Sequence, residues 1–586
     1  MEQGEAVGRV LGNLDATPLQ FWVAVTPGAY LQLDDVVVTT RDLPSDGGAA
    51  RRPVTIAGVV TQVRARHEGA NFDSDVFAIA DGMLPAQIQE AAEITTTRVE
   101  PEIYVPPAPG AVVRRAGGDE RAAALYFDRM ERPVPIGTGR DGEPLYLNAE
   151  FLDGTRGAHV SISGVSGVAT KTSFATWLLY SLFRSGVLGG AGETANTRAL
   201  VFNVKGEDLL FLDHPNRKLD ADTRSAYANL GLDAGPFPDV CVYAPPRAGD
   251  LSGAPDVSSR LAGVDAFYWT IAEFCRDGLL PYVFADADDD RQQYTMVVHA
   301  VAAYLKRHAE PAGGGIALES RRIGSYPDLV DHVAQRLSDD ETRAEWAGSA
   351  VGLGTVNAFL RRLMASQRDL SRLIRGDLPA ERRHGVNTAE SAQITVVDLH
   401  NLPDRAQRFV VGVILKSEFD RKERVGTAKP LLFVVLDELN KYAPREGLSP
   451  IKEVLLDIAE RGRSLGVVLI GAQQTASEVE RRIVVNSAIK VVGRLDPAEA
   501  TRPEYGFLSP AQRMRAQIAK PGTMFISQPD IPVPLVAEFP FPAWATRPSE
   551  AGAAPTATLR SLMQATDPFA VVGTSRGTLR DDEIPF

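Results

Sequence analysis

Short apolar runs separated by polar turns fill residues 1–105. FWVAVT, LQLDDVVVTT, VTIAGVVTQVRAR and DVFAIA are rich in Val, Ile and Thr, are broken by GN, PG and SDGG, and show no helical period. Short strands at this spacing predict a small β-barrel or sandwich. EIYVPPAPGAVV (Glu102 to Val113) follows, and its prolines predict a semi-rigid linker over 106–117.

From 118 the pattern changes to alternating strands and helices. HVSISG reads as an apolar strand, SFATWLLYSLFRSGV as a helix and RALVFNV as a second buried strand, which suits a parallel sheet covered on both faces. These signals define a first core segment, 118–254. Between 255 and 385 the strand signals vanish, and helices are expected around 264–282, 291–309, 327–337 and 355–375 as an inserted bundle. Strands resume over 386–548 with AQITVVDL, LLFVVLDE, GVVLIGAQ, IKVVGRL and GTMFIS. The Ala-, Pro-, Thr- and Ser-rich 549–586 reads as a flexible tail with an acidic DDEIPF tip. The expected class is α/β, mainly parallel, with an N-terminal barrel and a helical insertion.

Composition narrows the function. The chain has 586 residues, 44% of them hydrophobic and 23% charged, as in ordinary globular proteins. Cys241 and Cys275 are the only cysteines, which excludes a disulfide framework or a four-cysteine metal site. No H-E-x-x-H occurs. MEQGEAVGRV does not read as a signal peptide, and no apolar run of about 18 residues suggests a membrane span, so the expected compartment is the cytoplasm. The net charge of −13 means that any DNA-binding surface must be a localised basic lining inside an acidic exterior.

The candidate chemistry begins at GVSGVATKTS, residues Gly164, Val165, Ser166, Gly167, Val168, Ala169, Thr170, Lys171, Thr172 and Ser173. A phosphate loop reads G-x-x-x-x-G-K-[ST]. Here Thr170 stands where the second glycine belongs, and one residue is added between Gly167 and Lys171. Strand, loop, Lys-Thr and helix nonetheless follow in the order such a loop requires. Lys171 would reach the β- and γ-phosphates of ATP, Thr172 would ligate Mg²⁺, and the backbone N–H groups of Gly164 to Thr170 would cradle phosphate oxygens.

KPLLFVVLDEL places Asp437 and Glu438 at the end of a wholly apolar strand, where open α/β sheets bind ligands. Asp437 is expected to support the metal and Glu438 to polarise the attacking water. IAERGRSLGVVLIGAQQTASEV adds Gln473 at the end of another buried strand, aimed at the γ-phosphate or the lytic water. Arg461 and Arg463, upstream, are candidates for a finger presented to a neighbouring subunit. The arginine-rich stretch Arg361 to Gly376 reads as a solvated helix face.

DELNKYAP, ERGRSLGVVLIGAQQTASEV and IKVVGRLD resemble the HerA group of the HerA/FtsK translocase superfamily, and so does the order of barrel, core, insertion and resumed core over about residues 5–545. The resemblance implies a RecA-like P-loop NTPase core, ATP hydrolysis with Mg²⁺, a homohexamer and double-stranded DNA in its central channel. It also implies an N-terminal HAS barrel that docks a NurA-like nuclease in DNA end resection and repair. The family roles fall on Lys171 and Thr172 for nucleotide and metal, Asp437 for the metal, Glu438 for water, Gln473 for the γ-phosphate, and Arg461 or Arg463 for the finger. NVKGEDLL (Asn203 to Leu210) looks like the family's strand-end segment after the loop helix. Two other jobs remain open on the sequence: the motor of an anti-phage defence complex, and a ring scaffold that binds nucleotide with little hydrolysis. The tip LRDDEIPF resembles the docking tip of bacterial single-stranded-DNA-binding proteins, which would recruit repair partners through Phe586.

Overall fold

In the computed structural model, an all-antiparallel barrel of six strands closes on itself in the order Ala6–Val10, Gln20–Val25, Gln87–Glu100, Arg51–Glu68, Val36–Pro44 and Val112–Arg115. The structure describes residues 5–44, 51–70, 72–165, 171–189, 191–260, 262–284, 292–313, 315–349, 351–378 and 384–551. Alternate residues of the barrel strands, among them Val7, Phe21, Val23, Ile56, Val60, Ile94 and Val113, fill its interior.

Two expectations for this region are corrected. The stretch 106–117 is not a free linker, because Val112–Arg115 pairs with both Ala6–Val10 and Val36–Pro44 and seals the barrel. Its Val113 is wholly buried, but four residues after PPAPG are too few to show a strand period. DVFAIA is a helix, Asp75–Ala80, at the tip of the Arg51–Glu68/Gln87–Glu100 hairpin, and it buries none of its residues. That long hairpin stays paired out to Glu68 opposite Gln87.

The second layer system is a twelve-stranded sheet. Eight parallel neighbours run Val264–Ala266, Val240–Ala244, Ile394–Asp398, Arg198–Asn203, Leu432–Leu436, Val467–Gln473, Val160–Ser163 and Ile489–Val492. Thr523–Ser527, Leu535–Glu538, Pro133–Thr138 and Pro144–Asn148 extend it antiparallel. Apart from the half-buried Arg198, the central strands are buried along their whole length, as both covered faces require. The helix Lys171–Arg184 packs on one face, while Asp404–Val425 and Pro450–Leu465 pack on the other. This is a mainly parallel, RecA-like α/β core. The strand Val467–Gln473 lies between the strand that enters the Gly164 loop and the strand that ends just before Asp437.

The inserted region is less purely helical than its sequence suggests. Gln292–His308, Tyr326–Ser338 and Leu353–Leu370 are helices near the expected places, and Asp340–Ala347 is another. The expected helix over 264–282 is instead the strand Val264–Ala266, which joins the main sheet, then Trp269–Thr270 and two short helices, Ile271–Arg276 and Leu280–Val283. A capping box between Thr270 and Glu273 fixes the helix start at Ile271. Trp269–Thr270 pairs with Ile374–Arg375, and a meander of Glu310–Ala312, Gly315–Leu318 and Arg321–Ile323 completes the region. Its apolar residues share one continuous core with the sheet.

The expected start of the tail at 549 is corrected, because 549–551 are ordered structure. Pro548–Ala551 is a short helix whose buried Glu550 accepts hydrogen bonds from Thr546 N at 2.9 Å and Thr546 Oγ1 at 3.0 Å. The DDEIPF tip lies outside the described residues. Among the described residues, no helix is long and apolar enough to cross a membrane.

Candidate active site

Three neighbouring strands deliver the site at their carboxyl ends. Val160–Ser163 leads into the Gly164 loop, Val467–Gln473 ends in Gln473, and Leu432–Leu436 ends immediately before Asp437 and Glu438. The chain leaves the first strand held in place: Gly164 N donates to Gln473 O at 3.2 Å and Val165 N to Arg494 O at 2.8 Å. The helix then starts at Lys171. Of the expected loop residues, Ser166, Gly167, Val168, Ala169 and Thr170 lie outside the described residues; Gly164, Val165, Lys171, Thr172 and Ser173 lie within them.

Thr172 Oγ1 donates to Asp437 Oδ2 at 3.0 Å. Lys171 is buried, and its ammonium donates to the Gly164 carbonyl at 2.7 Å. Burial lowers the Lys171 pKa from the ordinary lysine value, with Asp437 opposing. Asp437 is itself buried, with Oδ1 accepting from Glu438 N at 2.8 Å. Glu438, just after the strand, has a left-handed backbone, φ +57°.

A cleft of about 280 Å³ opens beside these groups, lined among others by Val165, Lys171, Thr172, Ser173, Lys205 and Asp437. Lys205 was not among the residues singled out from the sequence. Its Nζ lies 3.0 Å from Asp437 Oδ2 and 3.3 Å from Glu438 Oε1. Burial works against this ammonium, yet Asp437 and Glu438 hold its pKa above the ordinary lysine value. The signal was the segment NVKGEDLL, which ends the strand beside the Asp437 strand. Arg547 and Thr546 also line the cleft, Arg547 Nε bonding Asp208 Oδ1 at 3.1 Å; no sequence spacing pointed to them.

Gln473 is fully buried, and its Nε2 donates to Ser161 Oγ at 2.8 Å and Ser163 Oγ at 3.0 Å. Its amide is therefore fixed against the strand that feeds the loop. Arg461 and Arg463 are not brought to this cleft. Arg461 pairs with Glu423 and lies over the Phe419 ring, and Arg463 donates to the carbonyls of Gly154 at 2.9 Å and Thr155 at 2.7 Å.

The arrangement joins a buried ammonium, a hydroxyl and the Asp437 carboxylate around one cleft, with the Glu438 carboxylate beside it on Lys205. A hydroxyl and carboxylates are hard oxygen donors of the kind Mg²⁺ takes, and a cation, the Lys205 ammonium, already lies against Asp437 and Glu438. Among the described residues no group of three or more His, Cys, Asp and Glu forms a metal cage.

Similarity to known proteins is structural. No protein-family model and no curated protein matches the chain. The bacterial conjugative coupling protein TrwBdeltaN70 is similar at 12% identity and a TM-score of 0.45, over 73% of this chain and 93% of that one. VirB4 of Thermoanaerobacter pseudethanolicus is similar at 16% identity and a TM-score of 0.42, over 70% of this chain and 96% of that one. The genome packaging NTPase B204 of Sulfolobus turreted icosahedral virus 2, in complex with ATP-gammaS, is similar at 14% identity and a TM-score of 0.20, over 26% and 70%.

A second polar cluster lies one strand away. The buried Asp398 accepts from Asn203 Nδ2 at 2.9 Å and pairs with His400 Nδ1 at 2.8 Å. The Asp398 hydrogen bond raises the His400 pKa. Asn203 also lines the cleft beside Asp437, so the two clusters share a wall.

Proposed function

We propose that this chain is an ATP-hydrolysing subunit of a hexameric ring that moves double-stranded DNA. The observation that carries the reading is the 3.0 Å contact between Thr172 and Asp437, made across the intervening strand that ends in Gln473. A hydroxyl opening a helix after a glycine-bearing loop, bonded to a carboxylate ending a buried parallel strand, suits a phosphate-bound Mg²⁺. When bound, that ion would be held by Thr172 and Asp437 and would offset charge on the phosphates.

In this reading Lys171 leaves the Gly164 carbonyl for the β- and γ-phosphate oxygens. Glu438 orients a water in line with the γ-phosphorus and takes its proton as the bond to the β–γ bridging oxygen breaks, giving ADP and phosphate. Gln473 holds the strand ends in register. The ring would place a neighbour's arginine, Arg461 or Arg463, at the same phosphate through a heterologous interface that closes. The barrel would seat a NurA-like nuclease, giving a role in DNA end resection.

The direct test is nucleotide binding by the parent chain and by Lys171→Ala, followed by ATP turnover with and without duplex DNA. Binding lost in the variant and turnover raised by DNA support the reading. Turnover at full rate by a monomer overturns the ring. One observation favours a second reading, a nucleotide-binding ring with little hydrolysis: the Glu438 carboxylate is already engaged by the Lys205 ammonium at 3.3 Å. Nucleotide-dependent assembly with no turnover, with or without DNA, would select it.

A further inference from the structure

Lys171, Lys205 and Asp437 line the cleft, Glu438 pairs with Lys205 beside it, and the formal charges of the four groups cancel. The other charged pair that lines it, Arg547 and Asp208, is also mutually neutralised, at 3.1 Å. The two lysines are placed differently. Lys171 is buried on a helix start and bonds a neutral carbonyl, whereas the Lys205 side chain is 43% exposed at the end of a neighbouring strand and touches both carboxylates. Asp437 Oδ2 serves Thr172 and Lys205 at once, each at 3.0 Å. The oxygen atoms suited to a divalent cation are therefore already shared with an ammonium.

We infer that Lys205 is an internal counter-ion that occupies the cation position of the Asp437–Glu438 pair and admits a divalent metal only in company with a polyphosphate. The inference rests on the reading of the cleft as a nucleotide site. A bare divalent cation would bring two positive charges to a neutral cluster and would have to push an ammonium off its partners. A metal carried on a nucleoside triphosphate arrives with net negative charge. The displaced ammonium then has phosphate oxygens to bond, because Lys205 lines the cleft that they enter. Lys205 thus makes metal binding conditional on nucleotide, which neither Thr172 nor Asp437 achieves alone.

Removing the ammonium leaves the cluster with one uncompensated negative charge. The experiment is a titration of the full-length, nucleotide-free protein with Mn²⁺, read as loss of the free-ion signal in electron paramagnetic resonance. The parent, Lys205→Met and Lys205→Arg are compared. Lys205→Met is expected to bind Mn²⁺ on the order of tenfold more tightly than the parent, one charge at a part-exposed position being worth about one decade. Lys205→Arg keeps the charge and should stay within about twofold of the parent. Should Lys205→Met lose its circular dichroism, Lys205→Gln is read in the same titration.

Equal Mn²⁺ affinity in the parent and the neutral variant overturns the inference, as does tight Mn²⁺ binding by the parent without nucleotide. Binding of a fluorescent ATP analogue, measured in parallel, tests the nucleotide reading separately. A parent chain that binds no nucleotide sinks that reading, whereas equal Mn²⁺ affinities with nucleotide binding intact sink only the role of Lys205.

Discussion

Asp34 in the barrel and Arg515 in the core form a two-pronged ion pair, with Arg515 Nη1 to Asp34 Oδ1 at 2.9 Å and Nη2 to Oδ2 at 2.7 Å. Both side chains are 16% exposed, and Arg140 approaches the same carboxylate at 3.5 Å. The barrel is thereby tied to the sheet system by one acid serving two arginines. Asp34→Ala leaves both guanidinium groups without it and is expected to cost about 1–3 kcal/mol. Thermal unfolding of Asp34→Ala, Arg515→Ala and the double variant tests this. The double variant should lose less than the two single losses added together, and full additivity would mean the pair is not a tie.

Glu438 separates stability from catalysis. Glu438→Gln should bind ATP yet turn it over on the order of 10²-fold more slowly or worse. Glu438→Gly should be as inactive, but should melt no lower than the parent, because a non-glycine residue at φ +57° carries about 1–2 kcal/mol of backbone strain that glycine avoids. A lower melting temperature for Glu438→Gly would show that the side chain contributes more to folding than its backbone costs.

The two arginines are distinguished by what each holds at home. Arg463 supplies two hydrogen bonds to the Gly154–Thr155 turn, so Arg463→Ala should lose about 1–2 kcal/mol of stability. Arg461 makes an exposed ion pair with Glu423, so Arg461→Ala should lose under about 1 kcal/mol. Whichever acts between subunits, its alanine variant should regain turnover when mixed with Lys171→Ala chains. Recovery by neither mixture excludes both arginines as the finger.

His400 sets a pH signature. The hydrogen bond to Asp398 raises its pKa in the fold above 6.5, so the protonated ring stabilises the folded state. That contribution is complete below pH 6.5 and is lost as the pH climbs through the raised value. The melting-temperature gap between the parent and His400→Gln should accordingly be larger at pH 6 than at pH 9. A gap that is constant, or that grows with pH, would contradict the assignment.

The parts of this fold legible in the sequence are those where a long apolar run ends in a distinctive polar group. Leu432–Leu436 followed by Asp437 and Glu438 is one, and Val467–Gln473 is another. Such runs survive because a strand buried on both faces stays nearly continuously apolar until it reaches the edge of the sheet. Val112–Arg115, Val240–Ala244 and Val264–Ala266 were missed because three to five residues contain too little period, and their partners lie far away in the chain. For Lys205 the segment NVKGEDLL was visible in the sequence, but its role was not. A lysine after a strand is ordinary, and only the neighbouring strand's register brings Asp437 within reach. Arg547 reaches the cleft from beyond the last strand of the core, a placement that no local pattern encodes.

The hairpin that outgrows the barrel ends in Phe72, Phe77, Met83 and Ile88, each at least 70% exposed. Its rungs continue to Glu68 and Gln87 at about 3.3 Å apiece, so the greasy end is held away from the body of the chain. In a chromatography column such a shape behaves as an outrigger. It raises hydrodynamic drag above that of a sphere of equal mass, and it offers a hydrophobic matrix a grip that the acidic remainder of the surface does not.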